Sequence, residues 1–446
     1  RRTGREYPGP RQTQVPDPRQ GKGEGGGGGA YYANASLSDV TITYGYAASG
    51  GGAVAVTNGN LTVNGSSFTS NVGSTYGGAI MADKGGTVDI TSSTFTGNSA
   101  TSIYYAGNDY GGYGGAIYSK NPVAISSSTT FTSNTADQRA GAIEAQGGLT
   151  VDSSTFASNT SAGDAGAILV SGAPATITRS TFSGNTATAS GGAIAAYSRV
   201  DIVNSTLTGN IAGDSGGAVN LWSDGSINFS TIAANTSTGN GGGVNAVGSR
   251  LDVSNSIIYG NTGAGYADVD GTAGFYPTYS LFTNDTTIVS PLGSLVGVIY
   301  DNPLLDTLRD NGGPTLTMWP GDGSPVIDAA SPTEAPATDQ RGFARLVDGK
   351  AAMGAVQPGG TPPPDAVLPP TWYQAIGRPA PDSTCPTGMA PSWAEWPNEG
   401  TGGWTCEKST YWDVKKNGWV TVPGFYVRDG VKGRGHIRTH HLRHTG

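Results

Sequence analysis

One spacing constrains this chain more than any other feature. An asparagine returns at a nearly fixed interval, eight times in succession, each time three residues after an apolar side chain. The phrase gives Phe68/Asn71, Phe95/Asn98, Phe131/Asn134, Phe156/Asn159, Phe182/Asn185, Leu207/Asn210, Ile232/Asn235 and Ile258/Asn261. The asparagines are separated by 27, 36, 25, 26, 25, 25 and 26 residues. A second phrase, GGAI or a close variant, alternates with the first at 51–54, 77–80, 114–117, 140–143, 165–168, 191–194, 216–219 and 241–244. Two phrases holding register over so many copies specify a repeat architecture.

The period decides which one. No unit holds a helix-length run with helical spacing, and its Gly, Ser and Thr disfavour helix. Each unit instead carries short alternating runs, such as Leu149-Thr150-Val151 and Val200-Asp201-Ile202-Val203, between Gly and Asn. About 25 residues suits one coil of a parallel β-solenoid with three short strands and three turns. One coil cannot bury its inward face, so neighbours must stack. With strands about 4.8 Å apart, eight coils give a rod roughly 40 Å long. The expected fold class is therefore all-β, a single-stranded solenoid of about eight coils. Asn tolerates the left-handed conformation of a sharp corner, and stacked amides can hydrogen-bond along the rod. The eight asparagines are thus expected to sit at such corners and form a structural ladder. Alternation in GGAI places Ile80, Ile117, Ile143, Ile168, Ile194 and Val219 inside. Ala82, Ser119, Ala145, Val170, Ala196 and Leu221, two residues on, face inward too.

Composition excludes much else. Gly is 72 of 446 residues and charged residues are 13%, with a formal net charge of −8. Gly does not fall at every third position, which rules out collagen. No apolar run reaches the length of a transmembrane helix. All four His lie at the C-terminal end, as His436, His440, His441 and His444. The repeat region thus lacks imidazole for Ser-His-Asp or His-based metal chemistry. No cofactor and no metal site are expected. The acidic balance argues against nucleic acid as a partner.

The alternating phrases resemble the repeats of the polymorphic outer membrane protein family, over about residues 51–261. That resemblance implies a right-handed parallel β-helix displayed at a bacterial surface, often in adhesion. Members of the family end in an autotransporter barrel. The residues after 300 carry no long series of alternating strands, so self-translocation of that kind is not expected. A second set of motifs is Asn311-Gly312-Gly313-Pro314-Thr315, Gly323-Ser324-Pro325-Val326-Ile327-Asp328-Ala329 and Thr338-Asp339-Gln340-Arg341-Gly342. These resemble the choice-of-anchor domain of type Q over residues 301–357. The resemblance implies surface association through a variable downstream element. The usual ending departs here to Ala352-Met353-Gly354-Ala355-Val356-Gln357. Asp328, Asp339 and Arg341 invite a catalytic reading, but a structural Arg–carboxylate pair closing the rod is the stronger expectation.

The remaining segments differ in kind. Residues 1–29 read as a disordered leader or artefact without a signal-peptide apolar region. Residues 30–300 form the β-helix with its caps, 262–300 capping the last coil. Residues 358–370 are a stiff Pro-rich linker. Residues 371–429 hold Trp372, Trp393, Trp396, Trp404, Trp412 and Trp419, bracketed near their centre by Cys385 and Cys406. So small a module needs a disulfide, which implies an oxidising compartment. Its tryptophans form a mini-core or stack on cell-wall sugars. Residues 430–446 are a disordered basic tail.

The outward positions of the GGAI strand define two columns expected to be exposed. The first is Met81, Tyr118, Glu144, Leu169, Ala195, Asn220 and Asn245. The second is Asp83, Lys120, Gln146, Ser171, Tyr197, Trp222 and Val247. Asp83, Lys120 and Glu144 are expected to cluster, and Tyr197 with Trp222 to form an aromatic step. The one long repeat inserts Tyr104, Tyr105, Asn108, Asp109, Tyr110 and Tyr113. Solenoid insertions usually become loops, often on the binding face. Two functions follow. The first is a monomeric, extracellular or surface-displayed protein binding a glycan, matrix or cell-surface ligand through Tyr118, Tyr197, Trp222, Tyr104, Tyr105, Asp109 and Tyr110. The alternative is a polysaccharide lyase or glycoside hydrolase using Asp83 and Glu144 with Lys120 between them.

Overall fold

The structure is a computed structural model. It describes residues 34–360, apart from 106, 107, 249, 272, 273, 285, 290, 293, 294 and 334, and the strands Gly28–Tyr31, Met389–Glu395, Gly402–Lys408, Thr410–Asp413 and Gly418–Thr421. All regular structure among these residues is β. The chain divides into two units, Arg1–Val367 and Leu368–Gly446. In the second, Met389–Glu395 pairs antiparallel with Gly402–Lys408, and Thr410–Asp413 with Gly418–Thr421. Cys385 and the side chain of Cys406 lie outside the described residues, as do the tryptophan side chains of this unit and the four histidines.

The first unit is a parallel β-solenoid. One coil runs through Ile143–Ala145, Leu149–Asp152, Thr155–Ala157 and Thr160–Ser161 before re-entering the next coil at Ile168–Val170. Each segment pairs with its counterpart one coil on, so Ile143 lies beside Ile168 and Val151 beside Ile177. Stacking makes four sheets. The first and second have ten strands each among the described residues, the third eleven and the fourth nine. The rod thus has four faces rather than three, the fourth built of very short strands. It is also longer than the phrases indicate. Ala35–Ser38, Thr41–Thr43 and Tyr46–Ala47 add a coil before them, and Val269–Gly271, Gly274–Thr278 and Leu281–Phe282 add another after them. Stacking needs only the inward apolar set, here Leu37, Phe275 and Phe282. Residues 262–282 therefore extend the rod.

Alternation fixes which side chains enter the core. Leu61–Asn64 reads buried, exposed, buried, exposed, and Val88–Thr91 begins in the same way. The inward position of the third sheet is a column of phenylalanines. Phe68, Phe95, Phe131, Phe156 and Phe182 stack with ring centroids 4.7 Å apart, within 5° of parallel, fully buried.

Two corners are bound by side-chain ladders. All eight recurrent asparagines, Asn71, Asn98, Asn134, Asn159, Asn185, Asn210, Asn235 and Asn261, are buried. Each amide up to Asn235 donates to the side-chain oxygen of the next Asn. The ladder opens with Asn71 Nδ2 at 2.9 Å from Asn98 Oδ1. Asn134 Nδ2 lies 2.9 Å from Asn159 Oδ1, and Asn159 Nδ2 lies 2.9 Å from Asn185 Oδ1. It continues from Asn185 to Asn210 at 2.9 Å, from Asn210 to Asn235 at 2.9 Å, and from Asn235 to Asn261 at 3.0 Å. The same oxygens accept the preceding Asn backbone N–H, at 3.0 Å for Asn71, Asn134, Asn159, Asn210 and Asn235. The ladder runs one way and ends where Asn261 Nδ2 donates to the buried Asp268 carboxylate at 3.0 Å.

The expected conformation of these asparagines is corrected by the structure. None of the eight is left-handed; that conformation falls one residue earlier. Ser70 (φ 54°) precedes Asn71, Ser133 (φ 55°) precedes Asn134 and Ser158 (φ 55°) precedes Asn159. Gly209 (φ 65°) precedes Asn210, and Ala234 (φ 57°) precedes Asn235. The turn is made before the Asn, which leaves its side chain free to point inward and bond along the axis. Asn is required at this position for its amide rather than for its tolerance of a positive φ. At the corner before the third sheet, hydroxyls make a second ladder. Ser154 N–H donates to Ser180 Oγ at 3.1 Å, and Ser180 N–H to Ser205 Oγ at 3.1 Å.

The glycine pair of GGAI has two separate jobs. The first position is left-handed, as at Gly114 (φ 69°), and folds back over the residue four positions on. The second has no room for a side chain, because a Cβ on Gly141 would lie 2.1 Å from the Gly166 carbonyl oxygen.

Residues 301–360 do not extend the rod but lie along its flank. Gln340 donates to Thr181 Oγ1 at 2.9 Å and accepts from Thr206 Oγ1 at 2.6 Å. Gly354 N–H donates to the Asn255 carbonyl at 2.8 Å. Val326, Ala351 and Met353 pack on Phe229, Ile257 and Leu281. The flank covers outward positions of the third sheet, so Thr181, Thr206 and Thr231 are buried while Thr94, on an earlier coil, is exposed. Asp339 and Arg341 make a buried pair at 2.7 Å, against this flank rather than across the end of the rod. Asp328 is not part of it and pairs with exposed Lys350 at 3.1 Å. Arg345, which no motif singled out, is fully buried. Its guanidinium donates to the carbonyls of Ala352, Gly354 and Ala355 and to Asn204 Oδ1, and lies 4.6 Å from the Phe229 ring centroid.

Candidate functional site on the outer face of the first sheet

The first sheet presents the outward columns, and its two columns behave differently. The first is buried over much of its length, contrary to the expectation of exposure. Glu144 and Leu169 are inaccessible, and Tyr118 is 5% exposed. The cause is the left-handed turn, which lays Ala140 and Ala165 against Leu169 and Ala195 in a second small apolar cluster. The second column stands beyond that cover. Its backbone ladder continues through Lys120, Gln146, Ser171, Tyr197, Trp222 and Val247, each N–H bonded to the preceding coil.

The expected charged cluster separates. Lys120 pairs with Asp83 at 3.2 Å on the surface. Glu144 instead receives Arg139 Nε at 3.2 Å and Gln146 Nε2 at 3.0 Å. Gln146 Nε2 also donates to Tyr118 Oη at 3.1 Å. Burial pushes the Glu144 carboxyl up, and Arg139 and Gln146 offset only part of this. Burial, reinforced by the Glu144 charge, also pushes the Tyr118 phenol well up. Asp83 and Glu144 stand two rungs and two residues apart, roughly 12 Å along the sheet. With Glu144 enclosed, the two do not flank a shared cleft.

Aromatic groups gather on the same face. Tyr76 packs on Tyr118 at 4.5 Å and on Tyr113 at 5.7 Å, and the Arg139 guanidinium lies 4.4 Å from the Tyr113 ring centroid. Further along, Tyr197 and Trp222 stack with centroids 4.4 Å apart and planes within 6°. They remain 44% and 37% exposed, which makes them the accessible aromatic surface of this column. Tyr197 Oη donates to Asp164 Oδ2 at 3.2 Å, which fixes its ring. Burial, then the Asp164 charge, raises the Tyr197 phenol.

The long repeat forms a hairpin. Ser99–Tyr105 pairs antiparallel with Asn108–Gly111, so Ile103 faces Tyr110 and Tyr104 faces Asp109. It extends the fourth sheet instead of entering the first. Ile103, Tyr104, Asp109 and Tyr110 are exposed, while the Tyr105 side chain lies outside the described residues.

Sequence reasoning missed the cover over the first column. The signal was present in the left-handed first glycine of GGAI, whose fold-back fixes what lies under it. It also missed the hydroxyl ladder, whose trace is the Ser or Thr two residues before each Phe, Leu or Ile of the asparagine phrase. Among the described residues, no helix is long and apolar enough to cross a membrane.

Residues 92–120 and 179–197 match the Chlamydia polymorphic membrane protein repeat. Each span runs from a third-sheet strand through a ladder asparagine to a GGAI turn. No curated protein and no solved structure matches the chain. The repeats of this parallel β-solenoid are thus similar to those of the polymorphic membrane proteins.

Proposed function

We propose that this protein is a surface-displayed, non-catalytic β-solenoid that binds a glycan of a cell surface or matrix. One observation carries the reading, the exposed Tyr197–Trp222 stack on the outer face of the first sheet. Solvent-exposed rings held rigidly in register supply contact area at low entropic cost. The repeat match supports display at the outer membrane or cell surface. Tyr104, Asp109 and Tyr110 on the hairpin offer a second contact, and Tyr118 supports the column from beneath. The protein acts as a monomer. Residues 301–357 serve as an anchor element of the choice-of-anchor type, followed by the linker at 358–370 and a module at 371–429 closed by a Cys385–Cys406 disulfide. The test is a glycan array and a cell-surface screen with the full chain, read alongside reducing-sugar release from the same polymers. Binding without release supports the proposal. Release of reducing ends, or no binding across array and screen, overturns it.

A further inference from the structure

The second column has a gap at Ser171. Along this column the side chains are Lys120, Gln146, Ser171, Tyr197 and Trp222, one per coil. Trp222 covers one face of the Tyr197 ring. The other face is directed to the preceding coil, whose residue in this column is Ser171, with one heavy atom beyond Cβ. Gln146 stands one coil further on, its amide held by Glu144 and Tyr118. Tyr197 and Gln146 are therefore two rungs apart, about 9.6 Å. A ring placed between them at ordinary carbon–carbon contact needs roughly 7–8 Å. The flat slot has an aromatic wall, a hydroxyl floor and an amide opposite.

Its rim is acidic. Asp164 accepts Tyr197 Oη at 3.2 Å and the Ser190 N–H at 3.0 Å, and Asp214 accepts Ser190 Oγ at 3.4 Å. A carboxylate has about four lone-pair positions, so Asp164 retains acceptor capacity. It suits sugar hydroxyls and repels carboxylate or sulfate groups.

We propose that this slot is a subsite for a single neutral pyranose ring, whose C–H face lies on Tyr197 and whose hydroxyls meet Asp164 and Gln146. The inference rests on the glycan reading above and adds where the sugar sits and which charge class is taken.

The full chain is titrated by calorimetry with neutral hexasaccharides (cellohexaose, chitohexaose, xylohexaose, mannohexaose and β-galactohexaose) and with hexagalacturonate. At least one neutral probe is expected to bind, and hexagalacturonate to bind roughly tenfold or more weakly. Tyr197→Ala is expected to weaken the neutral probe by roughly tenfold. Ser171→Phe fills the gap with another stacked ring and is expected to do the same, with an unchanged far-ultraviolet spectrum and melting temperature. Asp164→Asn is expected to narrow the gap between neutral and charged probes. Wild-type affinity in Ser171→Phe, with loss in Tyr197→Ala, overturns the slot and leaves the glycan reading standing. A preference for hexagalacturonate overturns the neutral class. If no probe binds, the neutral-pyranose slot falls and the glycan reading is decided by the array; if Tyr197→Ala binds as wild type, both fall.

Discussion

Replacing Asn159 by Ala tests whether the asparagine ladder holds the rod together. The Asn159 side chain makes four hydrogen bonds. Its oxygen accepts from Asn134 N–H at 3.0 Å and Asn134 Nδ2 at 2.9 Å, and its amide donates to the Phe131 carbonyl at 3.0 Å and to Asn185 Oδ1 at 2.9 Å. The partners differ in what they keep. Asn134 Nδ2 retains the Phe95 carbonyl, and Asn185 Oδ1 retains the Asn159 N–H. The Asn134 N–H is left in a buried corner without an acceptor, at a cost of about 1–3 kcal/mol. The weakened Phe131 carbonyl and the vacated space add to it, so the total is roughly 2–5 kcal/mol. Repeat arrays lose cooperativity when one unit is weakened, so the assay is local as well as global. Urea unfolding gives the overall change, and hydrogen exchange at the Asn134 amide gives the local one. Exposed Thr150→Ala serves as the control. Asn159→Asp keeps the shape but turns an oxygen toward the Phe131 carbonyl, and is expected to cost at least as much. The reasoning is refuted if Asn159→Ala stays within about 0.5 kcal/mol of the control and the Asn134 amide keeps its protection.

Three further outcomes are expected. Gly141→Ala forces a Cβ to within 2.1 Å of a neighbouring carbonyl oxygen, so thermal melting should show a loss of about 3 kcal/mol. Glu144 has a raised carboxyl pKa through burial. Its contribution is complete below the ordinary carboxylate range and is lost as pH rises through the raised value, so wild-type stability relative to Glu144→Gln should fall from acid toward neutral pH in urea titrations. A difference that grows with pH contradicts this. Arg345→Ala removes charge-assisted bonds to three carbonyls. It should destabilise by on the order of 3 kcal/mol and open residues 301–360 to limited proteolysis before the coils themselves.

The fold was legible because its period is physical. Each coil must return to the same angular position, so Phe95, Phe131 and Phe156 recur where the geometry requires them, and inward Ile143 and Ile168 follow from alternation alone. The asparagine ladder was legible in its spacing but not in its backbone. Ser70, Gly209 and Ala234 take the left-handed turn that Asn71, Asn210 and Asn235 were expected to take, and its trace is the small residue, Gly in four of the eight copies, that precedes each Asn. Coils without the phrases were not legible, since Leu37 and Phe275 bury as well without a GGAI turn beside them. The outer face was half legible. Counting outward positions in twos placed Tyr197 and Trp222 on the surface. The same count put Glu144 there, because nothing in a period-two pattern reports that a turn residue four positions earlier folds back over it. The flank at 301–360 was beyond reach for a related reason. Arg345 meets Phe229 and Asn204 across more than a hundred residues, and no local spacing encodes such a meeting.

The long coil shows what this architecture permits. Between Asn98 and Asn134 the chain takes 36 residues instead of about 25, yet their amides meet at the same 2.9 Å as elsewhere. The extra length leaves through the corner beside the fourth sheet and returns as a hairpin while the asparagine ladder keeps its register. That corner is a port. New sequence can enter there and acquire a recognition surface while the axial lattice keeps its own period. Variation at such ports is decoupled from folding, so a lineage of these rods can change what it touches without relearning how to fold, and a designer can graft a peptide at 103–110 on the same terms.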